Sequence, residues 1–282
     1  MNIQKKPDWL KIRLTTSGDY ARVKEIVRTH QLHTICQSGD CPNMSECWSN
    51  GTATFMILGN ICTRACRFCN VPTGKPLPID EGEAARLAMS IKLMGLKHCV
   101  ITSVDRDDMP DLGATAWANT ISEVKRMNPS TTIEVLIPDF QGRAELIQQV
   151  IDSKPDIISH NMETVRRLTP MIRTKAKYDI SLLTLRYIAT QGIVAKSGVM
   201  LGLGETEDEV LETMDDLRDV GCQILTIGQY LRPTKENIEV QEYVHPDVFD
   251  KLQKIGLSKG FSFVESAPLV RSSYHAEKHI KS

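Results

Sequence analysis

No window of about 18 uninterrupted apolar residues occurs in this 282-residue chain, so no segment reads as a membrane span. No charge of one sign dominates either. Thirty-four Lys and Arg stand against 35 Asp and Glu, for a net charge of −1 with no extended basic run, so no field draws in nucleic acid or an anionic membrane, and neither is expected as a partner. The stretch Met1 to Leu14 lacks both the apolar segment of a secretory signal and the Arg/Ser-rich bias of an organellar presequence, which makes a cytoplasmic location the expectation. Cysteine is too sparse for a disulfide scaffold, with eight in the chain. Six of the eight nevertheless crowd between Cys36 and Cys69, and in a reducing compartment that points to metal or redox chemistry.

What is present is a globular composition, with 41% hydrophobic residues, enough for one large core or two modest ones. From Thr52 onward, short β-rich runs alternate with helical patterns, the signature of repeated βα units around a parallel sheet. The runs are Ala53 to Leu58, Lys97 to Ser103, Thr132 to Ile137, Asp156 to His160, Ala195 to Leu201, Gln223 to Gly228 and Ser262 to Ser266. Several are apolar on both faces, as strands are when helices cover one side and barrel filling the other. Asp80 with Glu83 reads as a capping box ahead of a helix whose inner face carries Ala84, Leu87, Ala88, Ile91 and Gly95. Thr206 with Glu209 repeats it ahead of Val210, Met214 and Leu217, and Gly221 is placed to end that helix. Right-handed crossovers between sequential parallel strands close toward a barrel. The expected fold class is therefore α/β, a partial (β/α)6-type TIM barrel with N-terminal and C-terminal extensions. The expected partition is an N-terminal extension over 1–51 with a helix around Asp19 to Gln31, the barrel over 52–260, and a C-terminal segment over 261–282.

The first expected strand runs into Cys62-Thr63-Arg64-Ala65-Cys66-Arg67-Phe68-Cys69, three thiols separated by three and then two residues. On a loop at the C-terminal end of a barrel strand, where barrel active sites are built, this spacing lets three thiolates take three corners of a cubane cluster. One iron is then left open to a small molecule bearing an amine and a carboxylate. A structural zinc site is the competing reading, but it takes four ligands in paired arrangements, and no fourth Cys or nearby His completes this one. The three-two spacing, with Phe68 just before the last cysteine, resembles the signature of the radical S-adenosylmethionine (SAM) superfamily. That resemblance implies a four-iron cluster on Cys62, Cys66 and Cys69, SAM on its fourth iron, and a 5′-deoxyadenosyl radical that abstracts hydrogen from an unactivated C–H bond.

Cys36, Cys41 and Cys47 form a second triplet, separated by four and then five residues, with the turn formers Gly39, Asp40 and Pro42 among them. The thiols are expected on an irregular loop, which can fold around a cluster or around zinc. The two triplets together resemble the lipoyl synthase family, as do the opening Pro7 to Leu14, the run Asn60 to Cys69, His160-Asn161-Met162-Glu163-Thr164-Val165, Ser197 to Glu205, and Pro268 to Tyr274. This resemblance runs nearly end to end. It implies a second, auxiliary four-iron cluster on Cys36, Cys41 and Cys47 with Ser273 as fourth ligand, and a catalytic part for Ser273 and Arg271. The auxiliary cluster would then donate two sulfur atoms to carbons 6 and 8 of a protein-bound octanoyl-lysine. The implied partners are octanoylated lipoyl carrier domains of 2-oxoacid dehydrogenase complexes or the glycine cleavage H protein, and a low-potential electron donor such as ferredoxin or flavodoxin. An alkoxide is harder and more readily protonated off iron than a thiolate, so the corner that Ser273 holds would be the labile one. Read without the resemblance, Ser272 and Ser273 are ordinary capping or turn residues.

Strand ends on the cysteine side of the barrel are expected to line the SAM site. Thr102, Ser103 and Asp105 are candidates for its amino group, and Asn161 and Glu163 for ribose hydroxyls. Gly198, Gly202 and Gly204 either admit the adenine or mark tight turns. Phe68 is placed beside the cofactor, and Arg173 and Lys196 are candidate carboxylate partners, against surface salt bridging as the alternative. Cys99 and Cys222 read as buried apolar residues within strands. His275 and His279 share one face of a possible C-terminal helix. Two competing functions remain: another sulfur-inserting radical SAM enzyme, and a non-catalytic iron–sulfur electron-transfer protein, which has no use for a cluster lacking one protein ligand.

Overall fold

A computed structural model describes residues 5–12 and 18–279 of the chain. Arg13 and Leu14 of the opening motif lie outside the described residues. All seven expected strands form, within one or two residues of their expected ends. They are β2 (Thr54–Ile57), β3 (His98–Ser103), β4 (Thr132–Leu136), β5 (Ile157–Ser159), β6 (Val194–Leu201), β7 (Ile224–Gln229) and β8 (Phe263–Ser266), mutually parallel and in sequence order. One strand was not expected: β1 (His33–Thr34) pairs antiparallel with β2 through Met56 and Phe55. The helices between the parallel strands are α4 (Glu83–Met94), α5 (Ala114–Met127), α6 (Ala144–Asp152), the single turn α7 (Thr169–Ile172) with α8 (Tyr178–Thr190), α9 (Glu207–Asp219) and α10 (Pro246–Ser258). Six βα units therefore precede β8, a partial barrel as expected. Ahead of it lie α1 (Gly18–Thr29), α2 (Ile35–Ser38) and α3 (Met44–Ser49). Among the described residues, no helix is long and apolar enough to cross a membrane.

The core lies between sheet and helices rather than inside the barrel. Leu87 and Ile91 of α4, Trp117 and Ile121 of α5, Leu146 and Val150 of α6, and Leu217 of α9 are buried against Phe55, Ile101, Val135, Ile158 and Ile227 on the outward face. Each such aliphatic side chain contributes about 1.5–3 kcal/mol by leaving water, so this layer holds the barrel. Strand alternation sends Thr54, Thr102, Glu134, Lys196 and Thr226 to the other face, where they are buried as well. The lumen is thus not the apolar filling expected from runs that looked hydrophobic on both sides.

The capping box at Thr206 and Glu209 forms, and Gly221 follows the helix at φ +86°. The equivalent at Asp80 does not. Asp80 is held by the Gly82 N–H and Arg86, and Glu83 turns away to accept the backbone N–H of Leu58 at 2.8 Å. A distant orphan donor at the end of β2 outcompetes the local cap. Met94, not Gly95, completes the buried stripe of α4; Gly95 ends the helix in the left-handed region. Cys99 and Cys222 are buried as expected, although Cys222 sits just ahead of β7 rather than within it.

After β8 the chain crosses the open side of the partial barrel from rim to floor. Val270 packs over Gly228 of β7, and a one-turn 3-10 helix, Ala276–His279, ends near the first residues of the strands. His275 and His279 do not share an outward helical face. His275 stays half-buried against the Tyr274 ring, whereas the His279 side chain is buried beside Lys196 and Glu134.

Candidate active site

The loop that carries the first triplet leaves β2 through two left-handed residues, Leu58 (φ +68°) and Gly59 (φ +91°), a turn that re-aims the chain across the barrel mouth. Backbone hydrogen bonds then pin it. Cys62 N–H donates to the Pro72 carbonyl at 2.8 Å, Thr63 N–H to Asp105, Arg67 N–H to Ile172, and the Asn237 side-chain amide to the Cys69 carbonyl at 2.9 Å. Its strongest tether is Arg64, which is buried between the first two cysteines. The guanidinium donates to both carboxylate oxygens of Asp107 and of Asp139 at 2.9–3.0 Å, and lies 3.2 Å from Asp105. A planar fork with five donors suits this load. Burial opposes ionisation of Asp107 and Asp139, but the bonds from Arg64 outweigh it and hold both well below the usual carboxylate range. Asp105, more weakly tied, is pushed up by its burial. Residue-by-residue reading missed this clamp, although three acidic residues within four positions after β3 were a visible signal.

Burial raises the thiols of this loop, Cys62 to about 11 and Cys66 to about 12, with Asp105 adding to both; Cys69 is raised by burial too. In the second triplet, burial lifts Cys36 to about 11 and Cys47 to about 12, each helped by its neighbouring cysteines, and Cys41 also rises through burial. These are protonated thiols that give up protons on binding metal. The second set is less irregular than expected. Cys36 lies in α2 and Cys47 in α3, because only Gly39 to Asn43 carries turn formers and the flanking segments are free to coil into short helices. Thr34 caps α2 by accepting the Gln37 N–H.

The C-terminal segment docks on this second set. Asn43 Nδ2 donates to the Leu269 carbonyl at 2.7 Å, Tyr274 Oη to Glu46 Oε1 at 3.0 Å, and Thr54 Oγ1 to Ser273 Oγ at 2.8 Å. Two of these three bonds involve residues between Cys41 and Cys47. Arg271 is half-buried, and its desolvation depresses its basicity against the pull of Cys41 and Glu163.

Both thiol groups open onto one cavity of ≈ 640 Å³, lined by Cys36, Cys41, Cys62, Cys66, Cys69, Arg271 and Ser273. Cys47 is not part of this lining. Phe68, Thr102, Ser103, Asp105, Asn161, Glu163, Arg173 and Gly198 line the same cavity. Several of them are polar atoms awaiting a partner: Ser103 Oγ and Asn161 Oδ1 are buried without one. A Cβ on Gly198 would lie 2.6 Å from Thr226 Oγ1 and 3.0 Å from Asn161 Oδ1, so this glycine keeps the Asn161 amide in place. Glu163 stands at φ +66°, and burial raises its carboxyl in spite of Arg173 and Asn161. Arg173 donates to Ser181 Oγ at 2.9 Å, and that hydroxyl must then donate to His160 Nε2 at 2.8 Å, leaving His160 Nδ1–H for the Ile137 carbonyl.

Three expected positions fall elsewhere. Lys196 is buried beneath the cavity, 2.5 Å from Glu134 and 3.1 Å from His279, two residues short of Gly198 along β6, and is a lumen ion-pair partner rather than a cavity residue. Gly202 and Gly204 are turn glycines. A Cβ on Gly202 would come within 2.4 Å of the Glu242 carbonyl, and the Glu205 carboxylate accepts the Gly202 and Leu203 N–H groups.

Among the described residues, no three His, Cys, Asp or Glu side chains are grouped as a single ion requires. Two triplets of buried or half-buried thiols, five of them lining one cavity that also holds the unpartnered Ser103 Oγ and Asn161 Oδ1, are instead a donor set for two clusters and a polar ligand.

The fold is shared with solved structures of low sequence identity. They include methylornithine synthase (TM-score 0.56, 11% identity, 93% of this chain and 85% of that one) and the Escherichia coli coproporphyrinogen III oxidase (TM-score 0.52, 9% identity, 73% and 52%). A barrel of this kind with three thiols after its first parallel strand defines a radical SAM protein, and the Radical SAM superfamily model matches residues 56–217. At much higher identity the chain is similar to lipoyl synthases of Parabacteroides distasonis (65% over 98% of each chain), Phocaeicola vulgatus (65% over 100% and 99%) and Treponema denticola (61% over 99% and 96%). The chain belongs to the lipoyl synthase family. It is a radical SAM sulfurtransferase of a family that uses one four-iron cluster with SAM and a second, auxiliary four-iron cluster, and that acts on an octanoylated protein.

Proposed function

We propose that this chain inserts two sulfur atoms, at carbons 6 and 8, into an octanoyl chain carried on a lysine of a lipoyl domain or an H protein, with ferredoxin or flavodoxin as electron donor. The observation that carries this reading is the single cavity onto which both thiol groups, Arg271 and Ser273 open. Cys62, Cys66 and Cys69 would hold the cluster that binds SAM, and Cys36, Cys41, Cys47 and Ser273 the auxiliary one. When bound, the first would supply the electron that splits SAM into methionine and a 5′-deoxyadenosyl radical, and the second would supply sulfur.

The remaining roles belong to the chain itself. Arg64 fixes the first loop to the ends of β3 and β4, so the three thiols are presented as a unit. Arg173, steadied by Ser181 and His160, sets a cation beside Glu163 and Cys66, where it suits a carboxylate. Asn161, Glu163 and Ser103 offer hydrogen bonds to amine and hydroxyl groups, Gly198 gives them room, and Phe68 closes the side next to Cys69. Arg271 adds a second cation to the lining of the same cavity, one whose charge is felt by both Cys41 and Glu163. Residues 1–51 supply the second triplet, 52–260 the barrel, and 261–282 both the last strand and the Ser273 segment.

Anaerobic turnover of an octanoylated lipoyl domain, followed by intact-mass spectrometry, tests the reading. The expected change is loss of two hydrogens and gain of two sulfurs on the same lysine. An unaltered mass accompanied by SAM cleavage would exclude it.

A further inference from the structure

The floor of the barrel carries a charged group that the chemistry above leaves unused. Lys196 and Glu134, on β6 and β4, are both buried, with Nζ and Oε1 2.5 Å apart. The third member arrives from outside the barrel: His279 Nδ1 lies 3.1 Å from Lys196 Nζ and 3.8 Å from Glu134 Oε2, and the His279 ring meets Phe263 of β8 edge-on at 4.7 Å. An ammonium only donates, so Nδ1 is the acceptor and the imidazole carries its proton on Nε2. His279 thus accepts one N–H of a fully buried ammonium, a donor that is costly to leave unpaired.

The segment that ends in this contact is fastened at its other end too. The Val270 carbonyl stands only 2.1 Å from where a Cβ on Gly228 would be, a close approach that glycine alone permits. Between these two anchors the chain makes consecutive tight turns, Tyr274 N–H to the Arg271 carbonyl and Lys278 N–H to the His275 carbonyl, with Ala276 buried. Ser273 lies midway. A hydroxyl is a weak ligand for iron, and its occupancy depends on the effective concentration at which the chain presents it.

We propose that His279 is a positioning residue: seated on the Lys196–Glu134 pair, it latches residues 271–276 across the open side of the barrel and so keeps Ser273 at the second thiol group. This rests on the assignment of Ser273 as a ligand there. The latch and that assignment are read separately by two measurements on the full chain, with and without its clusters.

In the cluster-free chain, His279→Ala should speed amide exchange of residues 271–276 roughly tenfold, about the effect of losing one buried hydrogen bond, while α4 to α9 keep wild-type rates. His279→Asn, whose Oδ1 falls where Nδ1 was, should restore slow exchange. In the loaded chain, His279→Ala should shed iron from the second cluster to a chelator roughly tenfold faster, with the first cluster retained. Unchanged exchange in His279→Ala, a rise spread evenly over the barrel, or failure of His279→Asn to restore protection would each overturn the latch. Faster exchange with unchanged iron retention would overturn the Ser273 assignment instead.

Discussion

Thr54 Oγ1 donates a hydrogen bond to Ser273 Oγ at 2.8 Å, joining the start of the first parallel strand to a residue 219 positions later. A donor aimed at a hydroxyl oxygen favours its deprotonated form, the form that binds iron. Thr54→Val keeps the shape and removes the donor. Ser273 should then release its proton less readily, and the anaerobic iron content of the second site should fall severalfold near neutral pH, roughly the weight of one charge-assisted bond, and recover as pH is raised. Iron content that does not respond to pH would dissociate Thr54 from the ligand.

The two thiol groups differ in what they are built around, so their single losses should differ in kind. Cys62→Ala should abolish SAM cleavage. Cys36→Ala should retain part of that cleavage yet yield no sulfur insertion. Measuring 5′-deoxyadenosine and product in the same reaction separates the two, and full product from Cys36→Ala would refute the division.

Gly228→Ala introduces a methyl where the Val270 carbonyl already stands. Overpacking of this kind costs about 1–3 kcal/mol, and the segment after β8 can relieve it by lifting off more easily than β7 can move. SAM cleavage and thermal stability should stay near wild type while sulfur insertion is lost. A drop in all three together would mean that β7 itself had shifted.

Arg64 sets one positive charge among three carboxylates, of which Asp107 and Asp139 are only 6% and 3% exposed at the side chain and Asp105 is 23% exposed. Arg64→Met leaves them facing one another and should cost about 3–5 kcal/mol, the usual penalty for stripping one partner from a buried ion pair. Urea unfolding of the cluster-free chain at pH 7 measures it. Arg64→Lys should recover only part, since an ammonium cannot serve two carboxylates as a fork does.

His160 is lowered to about 4, chiefly by burial and then by Arg173. The folded value lies below that of a free imidazole, so the unfolded chain takes up the proton first as pH falls. Stability that is fully present above about pH 6.5 should therefore drain away toward pH 4, by about 2–3 kcal/mol from this one group. His160→Gln should flatten the stability-versus-pH curve across that window relative to wild type; parallel curves would show that some other group carries the slope.

Much of the barrel was readable because its signals are local. Lys97 to Ser103 declares a strand by itself, and Thr206 with Glu209 completes a cap within one turn. The same spacing at Asp80 and Glu83 misled because the Glu83 carboxylate answers Leu58, 25 residues away, and no pattern near Asp80 reveals that. β1 was invisible for another reason: two residues have no periodicity, and only pairing with β2 makes them a strand. The first triplet announces its chemistry in eight residues. Lys196 was misplaced because strand alternation tells inward from outward but not how deep along the lumen a side chain sits, and one step of the β6 pleat separates the cavity at Gly198 from the floor. Arg64, Thr54 and His279 draw their meaning from partners 43 to 219 positions distant, beyond any window.

The bond between Glu46 and Tyr274 spans 228 positions, so the two halves of the second site meet only when nearly all of the described chain is available. Contacts of such separation form late, after the nearest-neighbour pairings of the sheet. During synthesis, therefore, the Arg64 clamp is available once Asp139 has emerged and the whole Cys62 loop once Asn237 has, while the Cys36 group still lacks its closing segment. A ribosome-bound chain stalled before Leu269 should protect the first loop from thiol alkylation and leave Cys36, Cys41 and Cys47 open to it. The order in which the chain emerges thus becomes an order in which its two metal sites are ready.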